Sequence, residues 1–246
     1  IFDKGRSLYN HGPAREAAGK GQPLIVAEGY MDVIALVEAG FGASVAPLGT
    51  AITEDQLRLL WRIHPEPVIA LDGDTAGVRA ARRLIDLALP LLEAGQTLRF
   101  CILPEGQDPD DLIRAGGPAA MQALLDQAQP LVRLLWQRET ESRSIDSPER
   151  KAALDKALRD AVKKIADPSV RGHYGAEIRD LLAEHYGRGG PRDRQGQGSG
   201  QGQGRRPQGG SGWQNRGKGW QPPALPVATT KSSLLGATHS ENGQKE

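Results

Sequence analysis

Hydrophobic and polar residues fall along this chain in blocks. Four short apolar runs, "PLIVAE" (23–28), "GASVAPLG" (42–49), "PVIALD" (67–72) and "TLRFCIL" (97–103), are brief and nearly continuous in their apolar character. Runs of that length read as strands buried on both faces, the signature of a parallel sheet. Between them lie stretches of helical period: "YMDVIALVEAG" closed by Gly40, "TEDQLRLLWRI", and "AGVRAARRLIDLALPLLEAG". Thr53 followed by Gln56 predicts a capping box at the second of these, and Pro90 predicts a kink or break near the end of the third. Strand and helix in alternation predict an α/β fold, a mostly parallel sheet flanked by helices.

Beyond residue 108 the period becomes helical throughout, in "DPDDLIRAGG", "PAAMQALLDQAQPLVRLLWQRETES", "SPERKAALDKALRDAVKKIA" and "DPSVRGHYGAEIRDLLAEHYG". Ser147 and Asp167, each followed by proline, predict N-caps for the last two. The pattern is that of an all-helical subdomain appended to the α/β unit. From residue 187 the chain turns into a Gly/Gln/Arg-rich stretch that lacks the apolar residues to offset its chain entropy, and it is expected to be disordered.

Charge and composition change this picture in two places. The net charge is +1, but residues 187–224 hold seven basic residues (Arg188, Arg192, Arg194, Arg205, Arg206, Arg216, Lys218) against one acid, Asp193. The body is therefore acidic, unlike a bare nucleic-acid clamp. The one cysteine, Cys101, excludes an internal disulfide and fits a reducing, cytoplasmic setting. No apolar run approaches the ~18 residues of a membrane span. The first residue is Ile1, so a fragment or processed product is expected.

The chemistry concentrates where strands end. Glu28 closes the first strand and Asp32 follows one helical turn later; Asp72 and Asp74 close the third; Asp108 and Asp110 follow the fourth. In an open α/β sheet the carboxyl ends of the strands form the ligand-binding edge. Six carboxylates converging there are costly without a counter-ion. Hard oxygen ligands suit Mg²⁺ or Mn²⁺, and two such ions can flank a phosphoryl centre. The plainer role for Asp32, Asp74, Asp108 or Asp110 taken singly is helix capping. Gly49 and Thr50, after the second strand, allow a close backbone approach to a phosphate or form a simple tight turn. Trp61 and Trp136 sit in helical period and read as core; Trp213 and Trp220 lie in the basic tail.

Taken in order, "VAEGYMDVIAL", "VAPLGTAIT", "ALDGDTAG" and "EGQDPDDLI" resemble the Toprim subdomain of bacterial replicative DNA primases, and "FDKGRSLYN" resembles the segment just before it. The resemblance divides the chain into residues 1–22 (end of the polymerase core's N-terminal segment), 23–115 (Toprim), 116–186 (helical subdomain) and 187–246 (linker). It implies a DNA-directed RNA polymerase making short primers from nucleoside triphosphates on a single-stranded DNA template. Asp72, Asp74, Asp108 and Asp110 are then expected to hold Mg²⁺ or Mn²⁺. Glu28 becomes the acid/base or metal organiser, Asp32 an outer member of the site, Lys4 a positive charge near nucleotide or template, and Gly49 and Thr50 phosphate neighbours. Zinc is expected only in an N-terminal domain outside this chain, and the replicative helicase is expected to bind a C-terminal domain outside it; no membrane partner is implied, and a monomer is expected.

Three other classes compete with this reading. A Toprim topoisomerase or nuclease requires, for the former, a nucleophilic tyrosine, and Tyr9, Tyr30, Tyr174 and Tyr186 have no such context. A haloacid-dehalogenase-like phosphatase shares the D-x-D pattern, but Thr75 follows Asp74 directly instead of two residues on. A non-catalytic adaptor would use the acidic edge for structure alone.

Overall fold

The four apolar runs form the centre of one six-stranded sheet. The strands are β1 (Leu8–Tyr9), β2 (Ile25–Val26), β3 (Ser44–Pro47), β4 (Val68–Leu71), β5 (Arg99–Ile102) and β6 (Gln129–Pro130), in the order β1-β3-β2-β4-β5-β6. The inner four are parallel, with Ile25 opposite both Ser44 and Val68, and Val68 opposite Arg99. Both edges are antiparallel, β1 on β3 and β6 on β5. This is a computed structural model, and it describes residues 3–49, 51–141 and 143–187. Ile1, Phe2, Thr50, Ser142 and residues 188–246, which hold nearly all of the expected linker, lie outside the described residues.

Successive strand residues point to opposite faces, so each buried strand feeds two cores. On one face Ile25, Ala27, Ala46, Val68, Ala70 and Cys101 meet Val33 and Leu36 of α2 (Tyr30–Glu38) and Leu112, Met121 and Leu125 of α5 (Pro109–Asp126). On the other, Val26, Val45, Ile69, Leu71 and Phe100 meet Leu57, Leu60 and Trp61 of α3 (Glu54–Ile63) and Leu84 and Ile85 of α4 (Thr75–Ala88). Ala14 of α1 (His11–Gly19) joins the same core. The helices α6 (Leu131–Thr140), α7 (Pro148–Lys163) and α8 (Pro168–His185) extend it through Leu134, Leu135, Leu158, Ile178 and Leu181.

The helix signals land where the sequence places them. Thr53 and Gln56 close a reciprocal capping box at α3, worth about 1 kcal/mol. Ser147 Oγ accepts from Arg150 N at 3.3 Å and Asp167 Oδ1 from Val170 N at 2.9 Å, capping α7 and α8. α4 stops at Ala88, and a 3₁₀ turn, Leu89–Leu91, carries Pro90. One expectation is corrected. The run from Pro118 is not a single helix to about residue 142: α5, already broken at Gly117 (φ 69°), ends at Asp126, and β6 intervenes before α6. The cause is long-range, since Phe100 pairs with Gln129 and the Arg99 guanidinium donates to Ala128 O. Among the described residues no helix is long and apolar enough to cross a membrane.

Candidate metal centre

Because β2, β4 and β5 are parallel neighbours, their carboxyl ends share one rim, and the three acidic pairs follow them. Each loop then enters a helix whose first N–H groups need acceptors. Asp74 Oδ1 accepts from Gly77 N at 2.7 Å, and Asp108 Oδ1 from Asp111 N at 2.7 Å, capping α4 and α5. Asp32 Oδ2 reaches back to Gly29 N at 3.0 Å in the first turn of α2. The capping read for these three residues is present. For Asp110 it is not: its Oδ2 lies 2.8 Å from Arg114 Nη2, one turn further along α5. The i, i+4 spacing in "DDLIR" is the sequence signal for that pair. Capping engages one oxygen of a carboxylate that has about four acceptor sites, so it leaves capacity for a cation.

Glu28 and Asp72 behave differently. Glu28 Oε1 accepts from the Asp72 backbone N–H at 3.2 Å, tying the end of β2 to the end of β4. Asp72 Oδ1 is buried and has no hydrogen-bond partner. Burial, followed by the fields of Glu28, Asp32, Asp108 and Asp74, pushes the Asp72 carboxyl up to about 6. Burial also raises Asp32, reinforced by Asp108, Glu28 and Asp110 and opposed by the Gly29 N–H bond. The fields of the other acids named from sequence thus converge on Asp72 and Asp32.

A partnerless buried carboxylate oxygen amid like charges fits a cation. Among the described residues no three His, Cys, Asp or Glu side chains are gathered closely enough to enclose one by themselves.

Lys4 and Gly49 lie along the same rim. β1 runs antiparallel to β3 with Leu8 opposite Pro47, so the 3₁₀ turn Lys4–Arg6 lies past the carboxyl end of β3. Gln56, 1 % exposed, holds this turn by donating to Lys4 O at 3.0 Å and Ser7 O at 2.9 Å. That role of Gln56 spans some fifty residues and has no signal in the sequence beyond its place in the capping box. The Lys4 side chain is exposed, with β3 between its strand and β2. Gly49 has φ 147° and open space where a Cβ would sit.

A parallel sheet with acids at the ends of three adjacent strands defines the class: residues 25–113 match the family model described as Toprim-like. The relatives narrow it further. The chain is 40% identical over 174 residues to the DNA primase of Rickettsia felis, covering 71% of this chain and 29% of that protein. It is 36% identical over 182 residues to the DNA primase of Escherichia coli K12, covering 74% and 31%. Among solved structures, the DnaG catalytic core superposes with a TM-score of 0.69 at 36% identity, over 74% of this chain and 59% of that one. The DnaG primase catalytic domain bound to single-stranded DNA superposes at 0.68 and 35%, over 73% and 58%. The chain carries a Toprim-like domain and is related to the catalytic core of the bacterial DNA primases, as its motifs implied. It spans about 30% of the length of the curated primases it matches.

Proposed function

We infer that this chain supplies the metal-binding part of a DNA-directed RNA polymerase that makes short RNA primers on single-stranded DNA. The observation that carries the reading is Asp72: a buried, partnerless carboxylate oxygen at the meeting point of three acidic strand ends. The kinship with primases, one of them solved with single-stranded DNA, selects phosphoryl transfer to a ribonucleotide among the reactions such an edge could serve.

In this reading Asp72 and Asp74, with Asp108 and Asp110, hold Mg²⁺ or Mn²⁺, which supplies charge neutralisation for the incoming triphosphate. Glu28 fixes the Asp72 loop by accepting from the Asp72 backbone N–H and serves as general acid/base or metal organiser. Asp32 keeps the N-terminus of α2 in place and adds negative field at the outer ring. Lys4 contributes positive charge toward nucleotide or template, and Gly49 with Thr50 lets the backbone approach a phosphate. Residues 23–115 form the Toprim unit and 116–186 the helical subdomain. The zinc ribbon and the helicase-binding domain belong to other parts of such a primase, which works as a cytoplasmic monomer.

A chimera tests this. Residues 3–187 replace the matching stretch of the Escherichia coli primase, and primer synthesis is followed on a single-stranded template. Mg²⁺-dependent primers that disappear with Asp72→Asn are expected. A folded chimera that makes no primers, or one indifferent to Asp72→Asn, overturns the proposal.

A further inference from the structure

Two glycines of "LDGDTAG" are packed with no room for a side chain. A Cβ on Gly73 would lie 2.3 Å from Pro104 O and 2.4 Å from Leu103 O; a Cβ on Gly77 would lie 2.2 Å from Asp72 O. All these walls are backbone, so no rotamer change relieves them. The loop after β4 is thus seated main chain to main chain on the loop after β5. The neighbouring bonds extend this contact in both directions. Leu103 N donates to Leu71 O at 3.0 Å and Gln107 N to Pro104 O at 3.1 Å, leading the second loop directly to Asp108. On the other side Asp72 N donates to Glu28 Oε1, and Gly77 N to Asp74 Oδ1.

We propose that Gly73 is a positioning residue that locks the Asp72/Asp74 loop onto the Asp108/Asp110 loop, while Gly77 closes the turn that carries Asp72 and Asp74. The spacing between the acidic pairs is set by backbone contact at Gly73, because the carboxylates repel and cannot hold it themselves. The inference rests on the metal reading above. A methyl group at either position forces a backbone shift of about 1 Å, and misplacement on that scale around a reacting centre costs on the order of 10²-fold. For groups that orient metal ligands, the corresponding loss of metal affinity is about 10–100-fold. Gly19, where an added Cβ would meet no heavy atom within 4 Å, is the matched control.

The test uses the whole chain, ¹⁵N-labelled, with Gly73→Ala, Gly77→Ala and Gly19→Ala. Thermal melting, backbone amide spectra and Mn²⁺ binding by water-proton relaxation are recorded on each. Gly73→Ala is expected to move the amides of residues 103–108 as well as those of 72–77. Both rim variants are expected to weaken Mn²⁺ binding about 10–100-fold while a cooperative melt persists; Gly19→Ala changes neither. Amide changes confined to 72–77, or Mn²⁺ affinity within about threefold of the parent, overturn the proposal. If Gly73→Ala fails to fold, Gly73→Ala/Pro104→Gly, whose second loop can retreat, is expected to recover the melt without the affinity; recovery of both refutes the interlock. A parent chain that binds no Mn²⁺ contradicts the metal reading instead, and the interlock is then decided by whether Gly73→Ala moves the 103–108 amides.

Discussion

Replacing Asp72 with asparagine is expected to stabilise the metal-free protein at neutral pH while abolishing Mn²⁺ binding. The Asp72 carboxyl is raised to about 6 from an ordinary 3.8, first by burial and then by Glu28, Asp32, Asp108 and Asp74. Taken at face value, that gap corresponds to roughly 3 kcal/mol of folded-state cost once the group is ionised. Partial solvent access screens the repulsion, leaving about 1–2 kcal/mol. The sign follows from where the proton sits. Well below pH 4 the group is protonated folded and unfolded, and it contributes nothing. As pH rises toward 6 the unfolded chain ionises first, so stability falls, and above 6 the full cost is present. Asp72→Asn removes this fall, and its amide N–H can also donate into the surrounding carboxylates. In chelator-containing buffer the variant should melt about 2–8 °C above the parent at pH 7, with the difference shrinking toward pH 4 and vanishing well below it. Adding Mn²⁺ should raise the melting temperature of the parent and leave that of the variant unchanged. A variant less stable than the parent at pH 7, or a difference independent of pH, would refute the reasoning.

Other perturbations have smaller or simpler readouts. Thr53→Ala loses the cap of α3 and a hydrogen bond to Gly5 O, so chemical denaturation should show a loss of about 1–2 kcal/mol. Leu158→Ala, at a fully buried position joining α7 to the main core, should cost about 2–5 kcal/mol by the same measurement, with the sheet's far-face core intact. Burial raises the Asp86 carboxyl, but Lys164 and Arg138 outweigh it and hold it below 3.8. That contribution is present above about pH 4 and is lost as pH falls; because Lys164 and Asp86 are each 51% exposed, Lys164→Ala should cost no more than about 1 kcal/mol and less in high salt.

Much of this architecture is readable from the chain because its strands are buried on both faces. "LIVA", "VIAL" and "RFCIL" carry enough continuous apolar length to stand out, and Thr53, Ser147 and Asp167 announce helix starts by local chemistry. β1 and β6 were not legible: two residues each, Leu8–Tyr9 and Gln129–Pro130, leave no period to count, and both exist through pairing with distant partners. The acidic rim was visible because parallel topology sends every strand's carboxyl end to the same side. What the sequence could not express is how those acids differ. Asp74 and Asp108 spend an oxygen on local caps, Asp110 turns to Arg114, and Asp72 alone keeps a buried oxygen without a partner. The difference arises from contacts such as Glu28 with Asp72 N, 44 residues apart, and from the close approach of Gly73 to Pro104.

The acidic rim is expected to bind a divalent cation through Asp72 and Asp74. A Mn²⁺ titration of the chain, read by calorimetry and water-proton relaxation beside Asp72→Asn/Asp74→Asn, tests it directly. Saturable binding in the parent that is absent from the double variant is the predicted result. Absence of binding in the parent, or equal binding in both proteins, would contradict it.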